Sequence, residues 1–114
     1  MVNEGFWLRL DQLVAGTPVK IDRPKGTPHP RYPSFVYPLD YGYLENTCSG
    51  DGGGIDVWVG SLPKKPVTAI ICTVDLEKRD AETKLLLGCT AEEAQTILKV
   101  HNRGSQAALL VERP

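Results

Sequence analysis

The chain is 114 residues long, enough for one domain with a single modest core and too short for two. Its 13 basic and 14 acidic side chains nearly cancel, so no global field points to nucleic acid or to a membrane surface. No apolar run approaches the roughly 18 residues of a membrane span. The start, Met1 to Glu4, lacks the basic and apolar regions of a secretory leader, and Cys48, Cys72 and Cys89 are too scattered, and odd in number, for a disulfide framework or a zinc knuckle. A single cytoplasmic domain over residues 1–114 is the expectation.

Along the chain, Phe6, Trp7, Leu10, Leu13 and Val14 have the spacing of a short helix within Gly5 to Val14. Val19 and Ile21 share one face of a strand ending at Arg23. Residues 24–38 hold five of the nine prolines, which excludes regular helix or central strand and predicts a stiff extended connection. Tyr37, Tyr41 and Tyr43 form an aromatic strand pattern that leads into a glycine-rich turn flanked by Asp51 and Asp56. Ile55, Val57 and Val59 then alternate with Asp56, Trp58 and Gly60, the period of a strand.

Strands are predicted at about 55–60, 67–74 and 84–87, with Cys72 as core packing in the second. Thr90 to Glu93 has capping-box spacing, Glu92 and Glu93 suit a helix N-terminus, and Arg103 precedes a stop at Gly104. Ala94, Ile97, Leu98 and His101 share that helix's apolar face, and Ala107 to Val111 closes the chain as a strand. Several strands with two helices predict a small α+β domain on a barrel-like sheet.

Carboxylates at the mouth of a strand, with tyrosine hydroxyls near, are what a hard divalent cation and a phosphate ester require. A polar hairpin whose glycines and aspartates serve backbone geometry alone fits the same spacing.

Residue identity adds to spacing. The stretch Tyr37-Pro-Leu-Asp-Tyr-Gly42, followed by Asp51-Gly-Gly-Gly-Ile-Asp56, resembles the signature of the soluble inorganic pyrophosphatases of the first family. That signature has Tyr-Pro, two residues, Tyr-Gly, and then Asp-x-Asp-Pro-hydrophobic-Asp. Asp51 and Asp56 match its outer aspartates, whereas Gly53 stands at the middle aspartate and Gly54 at the proline. Ile21 to Gly26, Arg31-Tyr32, Thr73-Val-Asp75 and Glu82-Thr-Lys84 extend the similarity over roughly residues 18–88.

The resemblance implies an OB-like five-stranded barrel with a short N-terminal and a C-terminal helix. It also implies Mg²⁺, or Mn²⁺, held by Asp51, Asp56 and Asp75, with Glu82 as a longer-armed stand-in and Asp22 nearby. Asp80 competes with Glu82 for that place. Arg31, Tyr41 and Lys84 fall at phosphate-contacting positions. The family's general base belongs at Gly53, so Asp40, just before Tyr41, is the candidate to replace it, beside Asp51, Asp56 and Tyr41 as catalytic residues. The gap between Tyr32 and Tyr37 is too short for the family's arginine-bearing hairpin.

Three functions follow as expectations: Mg²⁺-dependent hydrolysis of pyrophosphate to two orthophosphates; a noncatalytic protein binding metal and a small phosphorylated ligand; or a protein-interaction module on the same barrel. A homo-oligomer, most simply a two-fold dimer joined around Phe6 and Trp7, is expected on surface grounds.

Overall fold

The computed structural model describes residues 3–114 and contains two helices and six strands: α1 (Glu4–Val14), β1 (Val19–Arg23), β2 (Asp40–Leu44), β3 (Asp56–Val59), β4 (Val67–Asp75), β5 (Asp80–Leu87), α2 (Ala91–Val100) and β6 (Gln106–Glu112). The strands form one sheet in the order β1-β2-β3-β5-β4-β6. Every neighbouring pair is antiparallel except β3 with β5, which run parallel, Val57 beside Leu85 and Trp58 beside Leu86.

Both helices start as their sequences require. The Asn3 side chain accepts the Phe6 N–H at 2.9 Å, and Thr90 and Glu93 exchange side-chain-to-backbone bonds in a complete capping box. Strand alternation then separates two cores. On one face, Ala94 and Ile97 of α2 pack on Trp58, Ile71 and Leu86; on the other, Trp7 of α1 packs on Leu44, Val57, Leu85 and Leu87. Burying each of these large side chains contributes about 1.5–3 kcal/mol. Trp7 is therefore covered within its own chain, while Phe6 beside it stays 42 % exposed.

The expected five-stranded barrel is corrected to an open sheet of six strands. Closure would need β1 to pair with β6, and the outer edge of β6 is already engaged. Asn102 takes the outward N–H of Ala108 on Oδ1 at 3.1 Å and donates from Nδ2 to its carbonyl at 3.5 Å, and the Gln106 N–H goes to the Arg103 carbonyl at 3.0 Å. The strand expected at 84–87 extends back to Asp80, because a tight turn after Asp75 pairs residues 80–83 with β4. The proline-rich segment also folds back on itself. Pro28 bridges Val36, and His29 Nδ1 accepts the N–H groups of Arg31 and Tyr32 at 3.0 and 3.1 Å, while its ring stacks on Tyr37.

A buried polar chain locks α2 to the sheet. Trp58 Nε1 donates to His101 Nε2 at 3.0 Å, which leaves Nδ1 protonated to donate to Gln106 Oε1 at 2.7 Å. Gln106 Nε2 donates onward to Asp75 Oδ2 at 3.4 Å. Burial, aided by the Lys84 charge, pulls the His101 pKa from 6.5 down to about 4. A histidine neutral in the fold but protonated in the unfolded chain contributes stability above pH 6.5 that is lost as pH falls toward 4. That loss amounts to about 3 kcal/mol. Urea unfolding across this window should show the decline, and the difference from His101→Gln, which removes this titration and leaves that of His29, should isolate it.

Candidate functional site

β2, β3 and β5 lie side by side, so alternation brings Tyr41, Asp56, Glu82 and Lys84 to the same α2-covered face. There the Lys84 ammonium donates all three of its hydrogens: to Asp56 Oδ2 at 2.8 Å, to Tyr41 Oη at 2.9 Å and to Glu82 Oε2 at 3.0 Å. Its side chain is almost wholly buried, with Asp56 about a third exposed and Glu82 less. Burial pulls the lysine toward neutrality, but the pull of Tyr41 and Asp56 outweighs it and raises the pKa, so Lys84 stays charged. Burial likewise pushes the Tyr41 hydroxyl up, against the opposing Lys84 charge, and keeps it neutral. Tyr41 packs edge-on to Trp58, with ring centres 4.7 Å apart, which fixes its hydroxyl.

Of the other predicted carboxylates, Asp51 adjoins this group, with its side chain in hydrogen-bonding reach of Glu82, while Asp75, Asp40 and Asp22 take other partners. Asp51 closes its own turn, with Oδ1 accepting the Ser49 hydroxyl at 2.6 Å and the Gly53 N–H at 2.9 Å. Asp75 caps the β4–β5 turn: Oδ1 accepts the N–H groups of Glu77 and Lys78 and the Ser105 hydroxyl, and Oδ2 accepts Gln106. These bonds lower both pKa values, led by Ser49 for Asp51 and by the Lys78 N–H for Asp75. Mutual repulsion at a shared cation site predicts the opposite sign for at least one such group. Asp40 alternates away from Tyr41 on β2 and accepts the Lys25 N–H at 2.8 Å, so it does not stand in for a base at position 53. Asp22 sits exposed at an irregularity in β1, 3.9 Å from Arg23.

Among the described residues no group of three or more Asp, Glu, His or Cys assembles to hold a metal ion. The point on which Asp56 and Glu82 converge is filled by an ammonium, Asp75 accepts turn and Gln106 donors on both oxygens, and Asp51 accepts two turn donors on Oδ1. As arranged here, with Lys84 between Asp56 and Glu82, the described residues form no ready site for the divalent cation that the family resemblance implies. Gly54 has its own local reason: a Cβ there would lie 2.7 Å from the Tyr43 ring and 3.0 Å from the Leu44 carbonyl, so the signature proline has no room.

Beside this group lies a positive rim. His29 has its pKa lowered first by partial burial, then by the charges of Arg23, Lys78 and Arg31, which converge on it from β1, the β4–β5 turn and the folded-back segment. The Tyr32, His29, Phe35 and Tyr37 rings pack together beneath that rim. Sequence reasoning missed Lys78, Arg23 and the Trp58–His101–Gln106 support of Asp75. A turn lysine and a strand glutamine carry no spacing signal, because only the sheet order brings them there. Replacing Lys84 by Met should strand two carboxylates and cost about 3 kcal/mol, at the low end for a broken buried pair because Asp56 keeps some solvent. Chemical unfolding measures it.

Comparison with known proteins finds no matching family model and no matching curated protein. Among solved structures, the chain is similar to an inorganic pyrophosphatase from Helicobacter pylori. The two share 14 % identity at a TM-score of 0.59, over 82 % of this chain and 81 % of that one. At that identity the likeness establishes a pyrophosphatase-like α+β fold and leaves the chemistry to the residues themselves.

Proposed function

We propose that this chain is a pyrophosphatase-fold protein that binds a small phosphorylated anion without a divalent metal and does not hydrolyse pyrophosphate. The observation that carries the reading is the Lys84 ammonium, bonded to Asp56, Glu82 and Tyr41 at 2.8–3.0 Å where the carboxylates converge. Gly53 supports it, since a positioned general base is worth about 10²–10⁴-fold in rate and glycine supplies none. Arg31, Arg23 and Lys78 supply the charge for an anion, and the Arg31 guanidinium suits two phosphate oxygens at once.

Calorimetric titration with pyrophosphate and with orthophosphate in chelator should give binding that weakens with salt. Arg31→Ala should weaken it roughly tenfold or more, the value of a lost charged hydrogen bond. Binding that appears only with Mg²⁺ or Mn²⁺, or a rise in melting temperature with either ion alone, would sink the metal-free reading.

The second reading is Mg²⁺- or Mn²⁺-dependent hydrolysis of pyrophosphate to two orthophosphates. The retention of Asp51, Asp56, Tyr41 and Lys84 at signature positions favours it. Gly53→Asp separates the two readings. Gly53 is not in the left-handed region, and a Cβ there meets only the Asp51 carboxylate, at 3.3 Å, so the variant should fold. Under the proposed function it releases no phosphate from pyrophosphate with Mg²⁺. A rise in kcat at unchanged KM would favour the hydrolase.

A further inference from the structure

Helix α1 leaves part of its apolar side uncovered. Trp7 packs into the core beneath it, whereas Phe6 and Leu13 remain 42 % and 39 % exposed. Both line a cavity of about 540 Å³. Small residues make the room: the sheet contributes Cys72, Ala81 and Thr83, and the loop before β3 contributes Cys48, Ser49 and Gly50. A dry cavity of about 150 Å³ already holds benzene, so this one admits a larger body. One end of it is charged. Glu82 is the one carboxylate on the wall, and no lysine, arginine or histidine lines it among the described residues. Glu82 gives Oε2 to Lys84 at 3.0 Å and has the Asp51 side chain in hydrogen-bonding reach, while Asp51 takes its turn donors on Oδ1. Asp51, Asp56 and Glu82 thus share the single ammonium of Lys84, and this end of the cavity keeps an excess of negative charge. Two carboxylates this close repel each other until a cation stands between them.

We propose that this cavity binds an amphiphilic amine, its apolar body between α1 and the sheet and its ammonium on Glu82 and Asp51. An ammonium carries three donors and no acceptor, which suits oxygens that Lys84 and Ser49 serve only in part. The apolar body takes the place of water against Phe6 and Leu13. Charge decides between amphiphiles of one shape. A fatty carboxylate meets like charge at Glu82, and an alcohol leaves the excess uncompensated. The site thus selects the charge opposite to that chosen by the rim of Arg23, Arg31 and Lys78, and neither site depends on the other.

Calorimetric titration of the full chain with decylamine, decanol and decanoate tests the assignment. Decylamine should bind roughly tenfold or more tighter than decanol, the value of a charged hydrogen bond, and decanoate should not bind. Asp51→Asn combined with Glu82→Gln keeps acceptors for Ser49 and Lys84, and should bring decylamine down to the level of decanol. Thr83→Trp, at an exposed strand position, fills the recess and should abolish the binding of both. Decylamine at about ten times its dissociation constant should also slow alkylation of the Cys72 thiol by N-ethylmaleimide about tenfold, in step with the fraction of empty sites. Equal binding of the three ligands overturns the proposal, as does decylamine binding that survives Thr83→Trp or leaves Cys72 alkylation unchanged. Failure of decylamine to bind at millimolar concentration overturns it as well.

Discussion

A single ammonium makes the α2 face possible. β3 and β5 are the one parallel pair in the sheet, and Lys84 joins the start of β3, through Asp56, to the middle of β5 and across to Tyr41 on β2. Without that charge, Asp56 and Glu82 would confront each other beside an apolar core. With it, every donor on the lysine has an acceptor, and no buried side-chain nitrogen or oxygen among the described residues lacks a partner. Such networks are high-stakes, since a member removed leaves the others desolvated and unpaired. An arginine would not substitute, because a flat guanidinium cannot direct three bonds to three strands from one point.

The same arrangement separates fold from chemistry. The packing of helices on a twisted sheet needs only the alternation of apolar residues, and that is met here at 14 % identity to a pyrophosphatase. Metal chemistry needs carboxylates left free of internal donors. In this chain the loop aspartates serve turns, as Asp51 does for Gly53 and Asp75 for the β4–β5 turn, and the strand carboxylates serve a lysine. A fold can thus persist while its polar residues take up structural partners.

Much of the secondary structure was legible in the sequence, for physical reasons visible in particular residues. Alternation around Val57 to Val59 and Ile70 to Val74 announces strands, and Thr90 with Glu93 announces a helix start. Barrel closure was not legible. It depends on the far edge of β6, which one asparagine from a different segment occupies. Within the site, Asp56 and Lys84 were recognised as belonging to one place, but their partnership was not, because spacing says which face a residue occupies and nothing about which atoms it meets. Asp40 failed as a substitute base for the simplest reason, strand parity, which places it opposite to its neighbour Tyr41.

The asparagine that occupies the β6 edge has one more consequence. A sheet with a bare edge can recruit strands indefinitely, and each added copy offers a fresh edge to the next. Asn102 removes the Ala108 hydrogen-bonding position from that edge, and Glu112 places a charge near its other end. Growth through the β6 edge is therefore discouraged, although aliphatic side chains such as Leu109 and Val74 stay exposed on the flat side of the sheet. The chain can expose aliphatic side chains on a strand-rich scaffold and still be steered toward a finite particle rather than a fibre.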